Sequence, residues 1–153
     1  MSDATAETRC GFVALIGAPN AGKSTLLNAL VGTKIAIVTP KVQTTRTRML
    51  GVAIEGENQI VYIDTPGIFA PKRRLDRAMV ATAWQGSSDA DLTLWLVDAK
   101  RGLVEEVRRI AEALSEQNRR VTLVLTKTRS YCKNSRKNES KHKFYTLFFE
   151  FYF

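Results

Sequence analysis

Apolar and polar positions along the 153-residue chain form short apolar runs separated by longer mixed stretches. Phe12-Val13-Ala14-Leu15-Ile16 is apolar throughout and predicts a buried strand, because such a short run suits a strand better than a buried helix. Lys23–Val31 has helix-forming composition and Gly32 follows as a stop, so a helix is expected there. Gly51–Glu55 and Gln59–Asp64 read as two short strands around Gly56-Glu57-Asn58, an antiparallel hairpin. Leu75–Gln85 reads as helix. Leu92–Val97 is a further buried strand ending at Asp98, and Val121–Leu125 is the last clear one. Between them Val104, Val107, Ile110, Ala111 and Leu114 keep helical spacing against a charged face, predicting an amphipathic helix over Val104–Gln117. Lys34–Leu50 has no sustained period and Thr65–Arg74 carries two prolines and a glycine, so both are expected to be mostly loop. Strands alternating with helices predict an α/β fold, a mostly parallel sheet flanked by helices with ligand at the strands' carboxyl ends.

The chemistry sits at the end of the first strand. Gly17-Ala18-Pro19-Asn20-Ala21-Gly22-Lys23-Ser24-Thr25 fits the phosphate-loop pattern G-x-x-x-x-G-K-[ST] at every fixed position, between a predicted strand and a predicted helix. The glycines let backbone N–H groups approach phosphate without a Cβ in the way, and the helix N-terminus adds its positive dipole end. In such a loop the lysine, here Lys23, reaches the β- and γ-phosphates, and the hydroxyl of Ser24 ligates Mg²⁺. A second motif, Asp64-Thr65-Pro66-Gly67, ends the apolar run Ile60-Val61-Tyr62-Ile63. A carboxylate there can hold Mg²⁺ through water, while the Gly67 N–H senses a γ-phosphate. Asp98 also ends an apolar strand and is the rival magnesium acid, although no glycine follows it at the right offset.

Charge changes the picture less than its total suggests. The chain is +8, yet residues 1–125 hold 16 basic and 13 acidic side chains, and 126–153 hold 7 and 2. The basicity is mainly a property of the tail and not a patch on the nucleotide region. Apolar content of 44% is a globular value, consistent with one domain that buries a core. Cys10 and Cys132 have no paired spacing, which argues against a disulfide or a metal site. No signal peptide is visible in Met1–Arg9 and no apolar run approaches the roughly 20 residues of a membrane helix, so a cytoplasmic protein is expected.

With Gln43-Thr44-Thr45-Arg46-Thr47-Arg48 lying between the two motifs, the region from about Gly11 to Leu125 closely resembles the Era family of bacterial GTPases. Thr47, where related GTPases more often have Asp, favours Era over those cousins. The resemblance implies GTP/GDP with Mg²⁺ as ligand, Ser24, Thr45 and Asp64 around the metal, and Lys23, Thr45, Gly67 and Asn20 as the catalytic set. Thr45 would close over the γ-phosphate, with Thr44 as the alternative. Ile68 stands where many GTPases carry the glutamine that orients attacking water, and cannot do that work. Relatives with such an apolar residue often use K⁺ held partly by the loop asparagine, here Asn20; the alternative is that Asn20 only shapes the loop. The resemblance further implies a monomer acting in small-subunit (30S) biogenesis, with peripheral contact at the inner membrane; in the intact family ribosomal RNA is bound through a C-terminal KH-type domain that is not expected within this sequence.

The chain departs from that family after Leu125. Where GTPases read guanine with Asn-Lys-x-Asp it has Thr126-Lys127-Thr128-Arg129. Lys127 can still pack along the base, but Arg129 donates where the aspartate accepts two hydrogen bonds. Two unpaired buried groups at ~1–3 kcal/mol each would weaken guanine binding by roughly 10- to 10⁴-fold. The expected division is a 1–10 N-terminal arm, an incomplete GTPase domain over 11–125 lacking its last strand and helix, and an atypical tail, 126–153. The tail holds 8 of the 13 aromatic residues and no glycine, proline or alanine, and shows neither a strand nor a helix period. It reads as foreign to the fold, the product of a truncated or frame-shifted reading. Its rival reading is an RNA- or membrane-contacting element, because aromatics between lysines can stack on bases.

Overall fold

The buried apolar runs and the amphipathic stretches assemble as an α/β sheet in a computed structural model that describes residues 8–33, 48–71, 74–116, 120–128 and the backbone of 148–152. Element order is β1 (Cys10–Gly17), α1 (Lys23–Val31), β2 (Met49–Glu55), β3 (Asn58–Asp64), α2 (Arg74–Ser88), β4 (Leu92–Asp98), α3 (Glu105–Glu116), β5 (Arg120–Thr126) and β6 (Phe148–Tyr152). The sheet runs β2-β3-β1-β4-β5-β6, with β1 parallel to both β3 and β4, and β4 parallel to β5. β1 lies between strands that follow it in opposite directions across the sheet, so its carboxyl end is the crevice where ligands bind such folds.

Each face of the sheet is closed by a different helix set. Leu26 and Leu27 of α1 pack with Leu15, Tyr62, Leu94, Leu96 and Val124 on one face. Ala83 of α2 and Val107, Ile110 and Leu114 of α3 pack with Ile16, Trp95, Val97 and Val121 on the other. Ile110 and Leu114 are almost fully buried, as the spacing of the α3 apolar stripe requires.

The differences from the sequence-based expectation are local. β2 begins at Met49, two residues before the expected Gly51, because its antiparallel ladder extends to Met49 opposite Asp64. α2 continues past Gln85 to Ser88. Its last turn is held by burial: the Ser87 hydroxyl lies 3.0 Å from that of Thr93, and a Cβ at Gly86 would sit 3.0 Å from Thr65 Cγ2. Tertiary packing there overrides the low helix propensity of Gly-Ser-Ser. The tail, for which the pattern offered no element, supplies β6, paired antiparallel to β5 from Arg120–Tyr152 to Val124–Phe148. The unpaired backbone of an edge strand is a template for any β-prone segment, and Phe-Phe-Glu-Phe-Tyr is one.

Candidate nucleotide-binding site

Gly17 ends β1 in close contact with the neighbouring strand. A Cβ there would collide with the Leu96 carbonyl oxygen, so glycine is required by space. The chain then turns tightly: Ala21 N donates to Ala18 O at 3.2 Å, and both Asn20 and Gly22 are left-handed, with φ of 62° and 97°. Gly22 takes that conformation without strain and Asn is among the residues that tolerate it. α1 starts at once, Leu26 N donating to Gly22 O at 2.9 Å, which leaves its first N–H groups directed into the loop.

Lys23 is 7% exposed, its Nζ donating to Gly17 O at 3.1 Å and Ala18 O at 3.0 Å. Burial pushes its ammonium down to about 8, against the opposing pull of the Asp64 carboxylate. Ser24 Oγ donates to Asp64 Oδ2 at 2.7 Å, and both side chains are buried. The hydroxyl at the start of α1 and the acid at the end of β3 are therefore brought together, as the two motifs predict. Their hard oxygen atoms suit Mg²⁺.

The Asp-Thr-Pro-Gly segment is fastened to the same loop. Thr65 Oγ1 donates to Leu15 O at 2.7 Å, and Ile68 N donates to Gly17 O at 3.0 Å. At Gly67 a Cβ would lie 2.8 Å from Pro19 N and Cα, so a side chain there would push the two motifs apart. Ile68 packs into the core with Ile16 and Ala18 and presents no polar group. Thr44 and Thr45 lie outside the described residues.

Asp98 does not share the Ser24–Asp64 corner. Its Oδ1 accepts from Lys100 N at 2.9 Å and Arg101 N at 3.4 Å, and its Oδ2 accepts from Lys127 Nζ at 2.7 Å. Burial raises the Asp98 carboxyl, but Lys127 and the two backbone donors outweigh it and hold it below the usual carboxylate range. Of the two acids, Asp64 is the one paired with Ser24, and Asp98 is the one paired with Lys127. Lys127 Nζ also donates to Asn20 O at 2.7 Å, and Thr126 Oγ1 donates to Ala21 O at 2.7 Å. Both side chains at the end of β5 tie down the phosphate loop. Sequence reading places Thr126 and Lys127 at the nucleotide but misses Asp98 as the anchor of Lys127; the only signal is an acid ending a buried strand.

A family model described as a 50S ribosome-binding GTPase matches residues 12–127. The chain belongs to that GTPase family. Within the family its resemblance is to Era: the GTPase Era of Dinoroseobacter shibae is 62% identical over 117 residues, 76% of this chain and 38% of that protein. The GTPase domain therefore spans about two fifths of the length of the curated relatives it matches. A crystal structure of Era in complex with MgGDPNP and nucleotides 1506–1542 of 16S ribosomal RNA superposes with a TM-score of 0.77. It is 42% identical and covers 82% of this chain and 43% of that one. The NFeoB protein of S. thermophilus bound to GDP·AlF4⁻ and K⁺ has a TM-score of 0.60 at 29% identity, covering 78% of this chain and 45% of that one. The fold is that of a P-loop GTPase matching Era structures, with β6 added at the edge of β5.

Proposed function

We propose that the chain binds GTP with Mg²⁺ and hydrolyses it, working as a nucleotide-controlled switch in small ribosomal subunit assembly. The observation that carries this reading is the buried Ser24–Asp64 pair beside Lys23 at the head of the loop. The loop N–H groups and Lys23 hold the phosphates, and Ser24 and Asp64 would hold Mg²⁺. Bound there, the ion neutralises charge on the phosphate oxygens. Gly67, packed on Pro19, offers its N–H to a γ-phosphate, so loss of that phosphate releases the segment behind it. The ribosomal RNA in the Era complex supports the small-subunit part of the proposal.

Ile68 offers no water-orienting group, so transition-state charge must be met otherwise. The potassium bound by NFeoB supports a monovalent cation beside Asn20, whose side chain is exposed at the loop tip. Phosphate release from Mg·GTP is then several-fold faster in K⁺ than in Na⁺, and Asn20→Ala removes the difference. Equal rates in the two salts would return Asn20 to a loop-shaping role.

A second reading is favoured by Arg129, which stands where the guanine-reading aspartate of GTPases would be, and by the commitment of Thr126 and Lys127 to the loop. In it the site holds phosphates without reading the base. ATP would then compete as well as GTP; a strong preference for GTP would exclude it.

A further inference from the structure

We propose that Asp98 is a positioning residue for the phosphate loop, acting through Lys127 on the carbonyl of Asn20. This rests on the reading of that loop as the nucleotide site. Asp98 lies one strand away from the loop, at the carboxyl end of β4, and does not share the Ser24–Asp64 corner. What links it to the loop is one ammonium group: Lys127 Nζ is 2.7 Å from Asp98 Oδ2 and 2.7 Å from Asn20 O. Lys127 is itself left-handed at φ 57°, an uncommon conformation for a lysine, which aims its side chain back over the loop. Asn20 is the other non-glycine residue with positive φ among those described, and its carbonyl is the atom Lys127 grips.

The carboxylate divides its work. Oδ1 caps the turn that leads into α3, accepting the Lys100 and Arg101 amides, while Oδ2 fixes Lys127. The Asp98 side chain is 9% exposed and that of Lys127 46%, so the anchor is rigid and the cation would otherwise sample solvent. A charge-assisted bond to a buried acid selects one rotamer of a side chain that has many. The selected rotamer holds Asn20 O in place and keeps the loop N–H groups converging on one point. Thr126 does the same one residue further on, from its hydroxyl to Ala21 O, at 2.7 Å.

Two substitutions separate this role from simple stability. Asp98→Asn keeps an oxygen for the Lys100 and Arg101 amides but places an NH₂ donor against Lys127. Lys127→Met removes the cation and leaves Asp98 its turn. Hydrogen exchange of the loop amides in residues 18–22 is measured first, without nucleotide. It accelerates several-fold in either variant and no further in the double variant. Affinity for fluorescent GDP and ADP analogues then falls by roughly threefold to tenfold in each single variant, by the same factor for both bases, and again no further in the double. If Asp98→Asn leaves loop exchange at the wild-type rate, or if the two effects multiply, Asp98 does not act through Lys127. Failure of the wild type to bind either nucleotide would sink the proposed function, while the exchange comparison still decides the Asp98 role.

Discussion

The charge most exposed to consequence is one that solvent barely reaches. The Lys23 ammonium has an ordinary value near 10.5 and burial brings it to about 8 in the protein without nucleotide. Phosphate oxygens favour the charged form, so binding draws a proton onto Lys23 wherever it has begun to lose one. Between pH 6.5 and 7.5 affinity for a fluorescent nucleotide is expected to be nearly flat. Above pH 8 it falls towards tenfold per pH unit, and Lys23→Arg, always charged, flattens the profile. A wild-type profile flat to pH 9 would contradict this assignment. Stability without nucleotide moves oppositely: the unfolded chain holds the proton up to about 10.5 and the folded one only to about 8. The destabilisation from the buried ammonium is therefore full below pH 8 and relieved as pH rises through that window. Asp98 and Asp64 show that residue type and strand position do not distinguish two acids. Each ends a buried strand; the sequence separates them only by the glycine three residues after Asp64, and the fold adds their different partners, Ser24 for one and Lys127 for the other.

At the scale of elements, glycines mark where backbones touch. Gly17→Ala drives a Cβ into the Leu96 carbonyl between two central strands, and a cost of about 2 kcal/mol or more in urea unfolding is expected. Gly32→Ala, at the C-terminus of α1 with φ 75° and open space around it, carries only backbone strain of about 1 kcal/mol. Equal losses would mean that strand spacing at β1–β4 is softer than described. The five strands through β5 and the three helices among the described residues were legible, because burial on two faces produces continuous apolar runs and burial on one face produces the α3 stripe. The last turn of α2 was not, since Gly86 and Ser87 are helical for the sake of Thr65 and Thr93. Nor was β6, whose pairing is dictated by a free edge elsewhere in the fold and not by its own pattern. The site was legible as two motifs, but the bonds from Thr126 and Lys127 to the loop join residues more than a hundred positions apart.

For the whole molecule, the charge and the fold divide at nearly the same place. The tail contributes five of the eight net positive charges, and its last described segment closes the β5 edge. Ending the chain at residue 128 strips that ladder and exposes the edge, so association that grows with concentration is expected in light scattering. A monomeric protein of unchanged melting temperature would show that β6 contributes nothing. At the other end of the sheet Leu50, Val52 and Ile54 alternate outward on β2 and are exposed. No described helix is long and apolar enough to cross a membrane.

The central claim is that the loop, Lys23 and the Ser24–Asp64 corner form a working Mg²⁺-dependent nucleotide site. The most direct test is titration of the folded chain with fluorescent GTP, with and without Mg²⁺, alongside Lys23→Met. Saturable binding that weakens without Mg²⁺ and is lost in Lys23→Met is the predicted result. A folded chain that binds no GTP, or binds it equally well without Lys23, would contradict the account.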